Sequence, residues 1–229
     1  MGKICAIHQP NFLPWLGYFY KIANSDVFVF LDNVDIVTGT SKSITNRTFI
    51  KSNNGKQVLT IPIKKGDSKL ISSIEFADNL WRSKLIKTIE NSYRKSINFK
   101  FYFPVFCEIL EFETSKLSEF NINAIIKLCG LLAIKTEFKK ASDVENLSTD
   151  RNKRIIELCQ KSGSSIYFSG KGGANYHDEE LFKSSGINLK YTDFKHPVYN
   201  QLYDGFEEGL SILDYLFNVP ILEQIIFKK

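Results

Sequence analysis

The first 32 residues constrain the fold more tightly than any other part of the chain. Ile4-Cys5-Ala6-Ile7 is a short apolar run that stops at His8-Gln9-Pro10, the pattern of a buried strand whose carboxyl end opens into a loop. From Trp15 to Ala23 apolar side chains recur at helical spacing, and Pro14 stands near the first turn, where its missing N–H costs nothing. The segment from Asp26 to Asp32, DVFVFLD, is a second buried strand ended by a carboxylate. Strand, helix and strand in so short a span make a βαβ unit, which calls for a parallel sheet covered by helices. The prediction is an α/β fold with a mixed, mainly parallel sheet and a Rossmann-like N-terminal βαβ unit.

Residues 33–47 are rich in Thr, Ser and Asn and read as a long loop that orders around a ligand. Thr48 to Ser52 and Gln57 to Ile63 read as strands joined through Asn53-Asn54-Gly55, whose Asn-Gly step favours a hairpin. Leu80 to Tyr93, Lys100 to Phe112 and Leu117 to Leu132 carry apolar residues every three or four positions, a helical insertion over residues 80–132. Another helix is expected over 149–161, capped by Ser148 or Thr149. The last third alternates again: Ser165 to Phe168 as strand, a Gly-rich loop, Asp178 to Ser185 as helix, Ile187 to Phe194 as strand and Ser211 to Phe217 as helix. No repeat or low-complexity linker divides the chain, and 229 residues can bury a substantial core, so residues 1–229 are read as a single domain.

Composition narrows the function classes. Nineteen Phe and ten Tyr against one Met suit a core of rigid rings, or walls that stack on a nucleotide or sugar; packing accounts for most of them. The net charge is +5, yet the basic residues are interleaved with 25 acids, without a basic stripe, zinc-finger spacing or RNA-recognition motif. Nucleic acid is therefore not the expected partner. Cys5, Cys107, Cys129 and Cys159 lie far apart in apolar segments with no CxxC pair, the usage of reduced, buried thiols in a cytosolic protein. No apolar run approaches the roughly 18 residues a membrane span needs, and the N-terminus lacks signal-peptide features. A cytoplasmic location follows as an expectation.

The candidate chemistry begins at the end of the first strand. His8, Gln9 and Asn11 offer donors and acceptors where open α/β sheets bind ligands, and the helix starting near Pro14 presents free N–H groups. Trp15, Tyr18 and Lys21 follow on that helix. Asn46, Arg47 and Lys51 form a second group, with an Arg fork and a Lys point charge suited to phosphate or carboxylate. A third is Ser169-Gly170-Lys171-Gly172-Gly173, a glycine loop after a strand that a phosphate can approach closely, though without Walker spacing. Asn175, Tyr176 and Tyr167 could line the same cavity. His196, near Asp193 and Tyr199, is the expected partner of His8 in general-base chemistry, because a neighbouring carboxylate raises imidazole basicity. His177, next to Asp178, reads as a helix start. A metal site would need His8, Asp32, His196 or Asp193, which no local spacing supports, and Cys5 and Ser169 lack the setting of a nucleophile.

The run IHQPNFLPWLGYFYKI followed by SDVFVFLD closely resembles the opening of the WbqC-like family. Matches continue at Thr45-Asn46-Arg47 with Lys51, LTIPIK at 59–64, IYFSGKGGANY at 166–176, FKHPVYNQ at 194–201 and LSILDYLFN at 210–218, so the resemblance covers essentially the whole chain. Ile44 stands where a Trp is expected, and Lys171-Gly172-Gly173 is more basic and Gly-rich than usual. The resemblance implies a role in modifying or transferring a nucleotide-linked sugar for O-antigen or capsule and does not by itself fix a reaction; the hypothesis taken for it is acyl or aminoacyl transfer to a nucleotide-linked amino sugar, for which an acyl thioester is the candidate donor. In that role His8, Asp32 and His196 are the catalytic candidates. Gln9, Asn11, Trp15, Tyr18, Lys21, Asn46, Arg47, Lys51, Ser169, Gly170, Lys171, Asn175, Tyr176 and Tyr199 are the substrate-binding ones. The opening also looks distantly like nucleotidyltransferases of the HIGH type, but Trp15 and Tyr18 stand where their phosphate-binding histidines would be. A module that binds a sugar nucleotide or a partner enzyme without turnover is the alternative. A glycosyltransferase fits less well, for want of a DxD motif. The sugar, the donor and the oligomeric state are left open.

Overall fold

The computed structural model describes residues 2–38, 44–66 and 68–221. The opening motif folds as a βαβ unit: β1 (Ile4–His8), α1 (Leu16–Ala23) and β2 (Val27–Phe30), with β1 and β2 parallel and Cys5 opposite Val27. A hairpin follows, β3 (Arg47–Ser52) and β4 (Gly55–Thr60), antiparallel with Ser52 opposite Gly55, whose φ of +88° suits glycine. The expected second strand of the hairpin ends earlier than the apolar pattern suggested, because Pro62 lacks the N–H a ladder needs. The helical insertion comprises α2 (Leu80–Tyr93), α3 (Phe99–Leu110) and α4 (Leu117–Leu131).

The chain then returns to the sheet. No sequence pattern assigned a strand to β5 (Glu137–Lys140), which pairs with β2; its EFKK segment is polar because only one side of it is paired. After α5 (Arg151–Lys161) come β6 (Ile166–Ser169), α6 (Glu179–Ser184), β7 (Asn188–Tyr191) and α7 (Ile212–Asn218). The cap of α5 is Asp150, not Ser148 or Thr149: its carboxylate accepts from the Lys153 N–H at 2.9 Å. Part of the expected 33–47 loop, residues 39–43, lies outside the described residues, as does the tail from 222.

The main sheet has the order β5-β2-β1-β6-β7 and every pairing in it is parallel; the antiparallel pair is a separate two-stranded sheet. Alternation along the strands sends residues to opposite faces. Ala6, Phe28, Phe30 and Phe168 join a large core with α1, α2, α3, α4 and α7, while Cys5, Ile7, Val27, Val29 and Tyr167 pack against α5 and α6. With β1 central, the chain leaves it toward β2 on one side and comes back at β6 on the other. That reversal opens a crevice at the carboxyl ends of β1 and β6.

Candidate functional site

The β1–α1 loop is held from several directions. Tyr18 Oη donates to the Gln9 carbonyl at 2.9 Å, Asn121 Nδ2 to Pro10 O at 2.8 Å, and Thr48 Oγ1 to Leu13 O at 2.9 Å. Leu13, fully buried, takes a φ of +40°, a strained conformation that these contacts maintain. His8 closes β1. Its Nδ1 lies 3.1 Å from the Gln9 carbonyl, which can only accept, so the proton sits on Nδ1 and Nε2 keeps its lone pair. Trp15 and Tyr18 pack edge-on against the imidazole, with ring centroids at 5.8 and 4.9 Å, so they orient His8.

Beyond that loop is a cavity of about 530 Å³, within the range of small-molecule sites. His8 and Gln9 line it together with Lys21, Tyr167, Ser169, Gly170, Gly173 and His177, and with Arg151 and Arg154 from the start of α5. No Asp or Glu is among its described lining residues. Lys21 is only 6% exposed, and its Nζ donates to the Ile7 carbonyl at 2.7 Å. Burial pulls this amine down to about 8. Burial, then the Lys21 charge, holds His8 down to about 3. His177 is lowered by burial and then by Arg151 and Lys21. Its Nδ1 meets Tyr191 Oη at 3.2 Å. Gly173 forms the wall between them: a Cβ there would come within 2.4 Å of Ser169 Oγ and 2.6 Å of His177 Cε1.

The expected residues therefore divide. His8, Gln9, Lys21, Ser169 and Gly170 meet at the cavity. Asp32 lies elsewhere, accepting from the Ser142 N–H at 2.9 Å and its hydroxyl at 2.7 Å, and so ties the segment after β5 to the end of β2. Asn46 donates to the Ile61 carbonyl, and Arg47 opens β3 opposite Thr60. Asn11 is buried beneath the loop, with neither polar side-chain atom hydrogen-bonded among the described residues. Lys171 and Asn175 are exposed, and Tyr176 is exposed beneath the Arg151 guanidinium, 4.8 Å from its ring centroid. Asp193 accepts from Tyr20 rather than pairing with His196, which sits among Phe194, Tyr199 and Phe206 with Nδ1 at the Pro197 carbonyl.

Lys51 and Tyr199 belong to a separate buried network. Lys51 Nζ donates to the Tyr203 and Gly205 carbonyls at 3.0 and 2.5 Å, while Tyr93 and Tyr199 donate to Asp214 at 2.8 and 2.9 Å. Burial raises the Asp214 carboxyl, and Lys51 pulls the other way. Sequence reasoning missed Arg151, Arg154 and the cavity role of His177. Position four residues after Gly173 is the signal that could have marked His177; nothing local marked the arginines, which meet His8 and Lys21 at the cavity because β6, which follows α5, pairs with β1.

A profile of the WbqC-like protein family matches residues 9–224. The chain belongs to that family. An uncharacterized protein of Mycobacterium tuberculosis is 32% identical to this WbqC-like chain over 95% of its length and 94% of the relative's own. No solved structure matches. The matched span includes the His8–Gln9 boundary only from Gln9 onward, but contains Lys21, Arg151, Arg154 and the 169–177 wall of the WbqC-like cavity.

Proposed function

We propose that this chain acts on a nucleotide-linked sugar in surface-polysaccharide assembly. The reading rests on one observation: a cavity of about 530 Å³ at the strand-order reversal, lined by Lys21, Arg151 and Arg154 with no carboxylate among its described lining. A lining of that sign favours an anionic ligand, and the backbone at Gly170–Gly173 beside Arg151 suits a diphosphate. The reaction proposed is acyl transfer to the sugar's amine, a step that family membership does not by itself fix. The amine nitrogen attacks the thioester carbonyl, the C–S bond breaks, and the amine's proton passes by way of His8 Nε2 to the leaving thiolate. A bound phosphate offsets the Lys21 charge that depresses His8 and so raises its capacity for that proton. The sugar nucleotide itself would place this work in the cytoplasm.

A binding module without turnover is the second reading, favoured by a His8 held at about 3, where imidazole is a weak base. The test is a thermal-shift panel of UDP-, dTDP-, GDP- and CDP-sugars, coenzyme A thioesters and ATP, followed by His8→Gln with the ligand that binds. A shift with a nucleotide sugar supports the proposal, and a flat panel rejects it. Loss of turnover in His8→Gln at retained affinity identifies the enzyme; a change in affinity alone identifies the module.

A further inference from the structure

We propose that Lys21, which lines the cavity, is a nucleophile whose Nζ condenses with an aldehyde or ketone carbon of the bound ligand to form an imine. The chain contains its own comparison. Lys51, 2% exposed, is a structural lysine: two carbonyls accept from its Nζ, and Asp214 supplies a nearby negative charge. Lys21 is similarly buried, but one carbonyl accepts from its Nζ, the groups that favour its charge are the Cys5 and Cys159 thiols, and the residue lines a cavity with no carboxylate among its described lining. The ion pairs described elsewhere are partly exposed ones such as Lys3–Glu137 and Lys64–Glu75.

A lysine kept as a phosphate clamp needs its full charge, and burial without a counter-charge erodes it; an arginine keeps its charge there. At about 8, roughly a fifth of Lys21 is neutral at pH 7.4, against about one in a thousand for an ordinary lysine. Desolvation is a recognised route to an amine that attacks carbonyls. In the step, the neutral nitrogen adds to the carbonyl carbon, the carbonyl oxygen takes up both amine protons and departs as water, and a C=N bond remains. No oxidant or reductant is consumed. The Tyr167 ring lies 5.9 Å from Nζ and, with His8, lines the same cavity through which a ligand would reach the amine.

The ligand class this implies is a nucleotide-linked sugar bearing a ketone or aldehyde, a different substrate from the amino sugar of the acyl-transfer step. That identity rests on the function proposed for the cavity, whereas the reactive amine does not. The probe is pyridoxal 5′-phosphate, which carries an aldehyde and a phosphate, reduced onto the protein with borohydride and mapped by peptide mass spectrometry. The expected result is modification of Lys21 at least ten-fold faster than of exposed lysines, slowed by a nucleotide sugar. Lys21→Arg should abolish modification at this position. Modification of Lys21 no faster than of surface lysines overturns the proposal, whatever the variant does. Fast modification without protection by any nucleotide sugar supports the amine and counts against the nucleotide-sugar reading alone. Binding of a nucleotide sugar without selective trapping rejects the imine alone.

Discussion

His8 shows how one position couples chemistry to stability. An unfolded histidine titrates near 6.5, and the folded one is held at about 3. Between those values the unfolded chain binds more protons, so His8 makes stability fall as pH drops through that window. One edge of the ring faces the cavity, which moderates the effect to an expected 2 kcal/mol or so between pH 7 and pH 4. His8→Gln should flatten the acid limb of a plot of melting temperature against pH by that amount. The two buried lysines should respond in opposite directions. Lys21→Met removes a desolvated charge and is expected to stabilise by about 1–3 kcal/mol at pH 7. Lys51→Met strands the Tyr203 and Gly205 carbonyls beside Asp214 and is expected to cost about 2–4 kcal/mol. Urea denaturation of both variants checks the pair. A buried cation that opposes stability is expected where a site needs it.

At the scale of elements, α5 matters most because its first turn carries Arg151 and its second Arg154. Asp150 caps it, and Arg154 Nε donates to the Ser148 carbonyl at 2.8 Å, so the cap and the loop before it hold the guanidiniums together. Asp150→Ala should destabilise by about 1 kcal/mol. It should also weaken binding of any anionic ligand in the thermal-shift panel, because the first turn frays where Arg151 is needed. The 173–177 turn contributes by closeness: Gly173 lets the backbone pass between Ser169 and His177, and α6 then begins at the Asp178 cap, whose carboxylate accepts from the Leu181 N–H at 3.0 Å. His177 thus stands at a helix start, as its sequence context indicated, and lines the cavity as well.

For the whole molecule, the two cores share the strands that separate them. Cys5 and Ala6 are neighbours on β1 yet belong to opposite faces. Neither core can melt without exposing the back of the other, so one cooperative transition is expected, with calorimetric and van't Hoff enthalpies equal; two resolved transitions would refute it. No helix among the described residues is long and apolar enough to cross a membrane. Local signals carried the βαβ opening, the hairpin, the three inserted helices and His8, because each is written in consecutive periodicity, turn chemistry or a strand end. Polar β5 was not legible, since its strand character comes from pairing with β2. Nor was the division between Lys21 and Lys51. Both are lysines in apolar surroundings by sequence, and only the tertiary structure decides that one finds two carbonyls 152 and 154 residues away while the other lines a cavity with no acid among its described lining. The sequence by itself determined the elements other than β5, and the parallel class of the opening strands, through short-range periodicity. Strand order, which sets β6 beside β1 and so brings the arginines of α5 to the cavity that Lys21 lines, depends on contacts between distant segments, and these the fold alone decided.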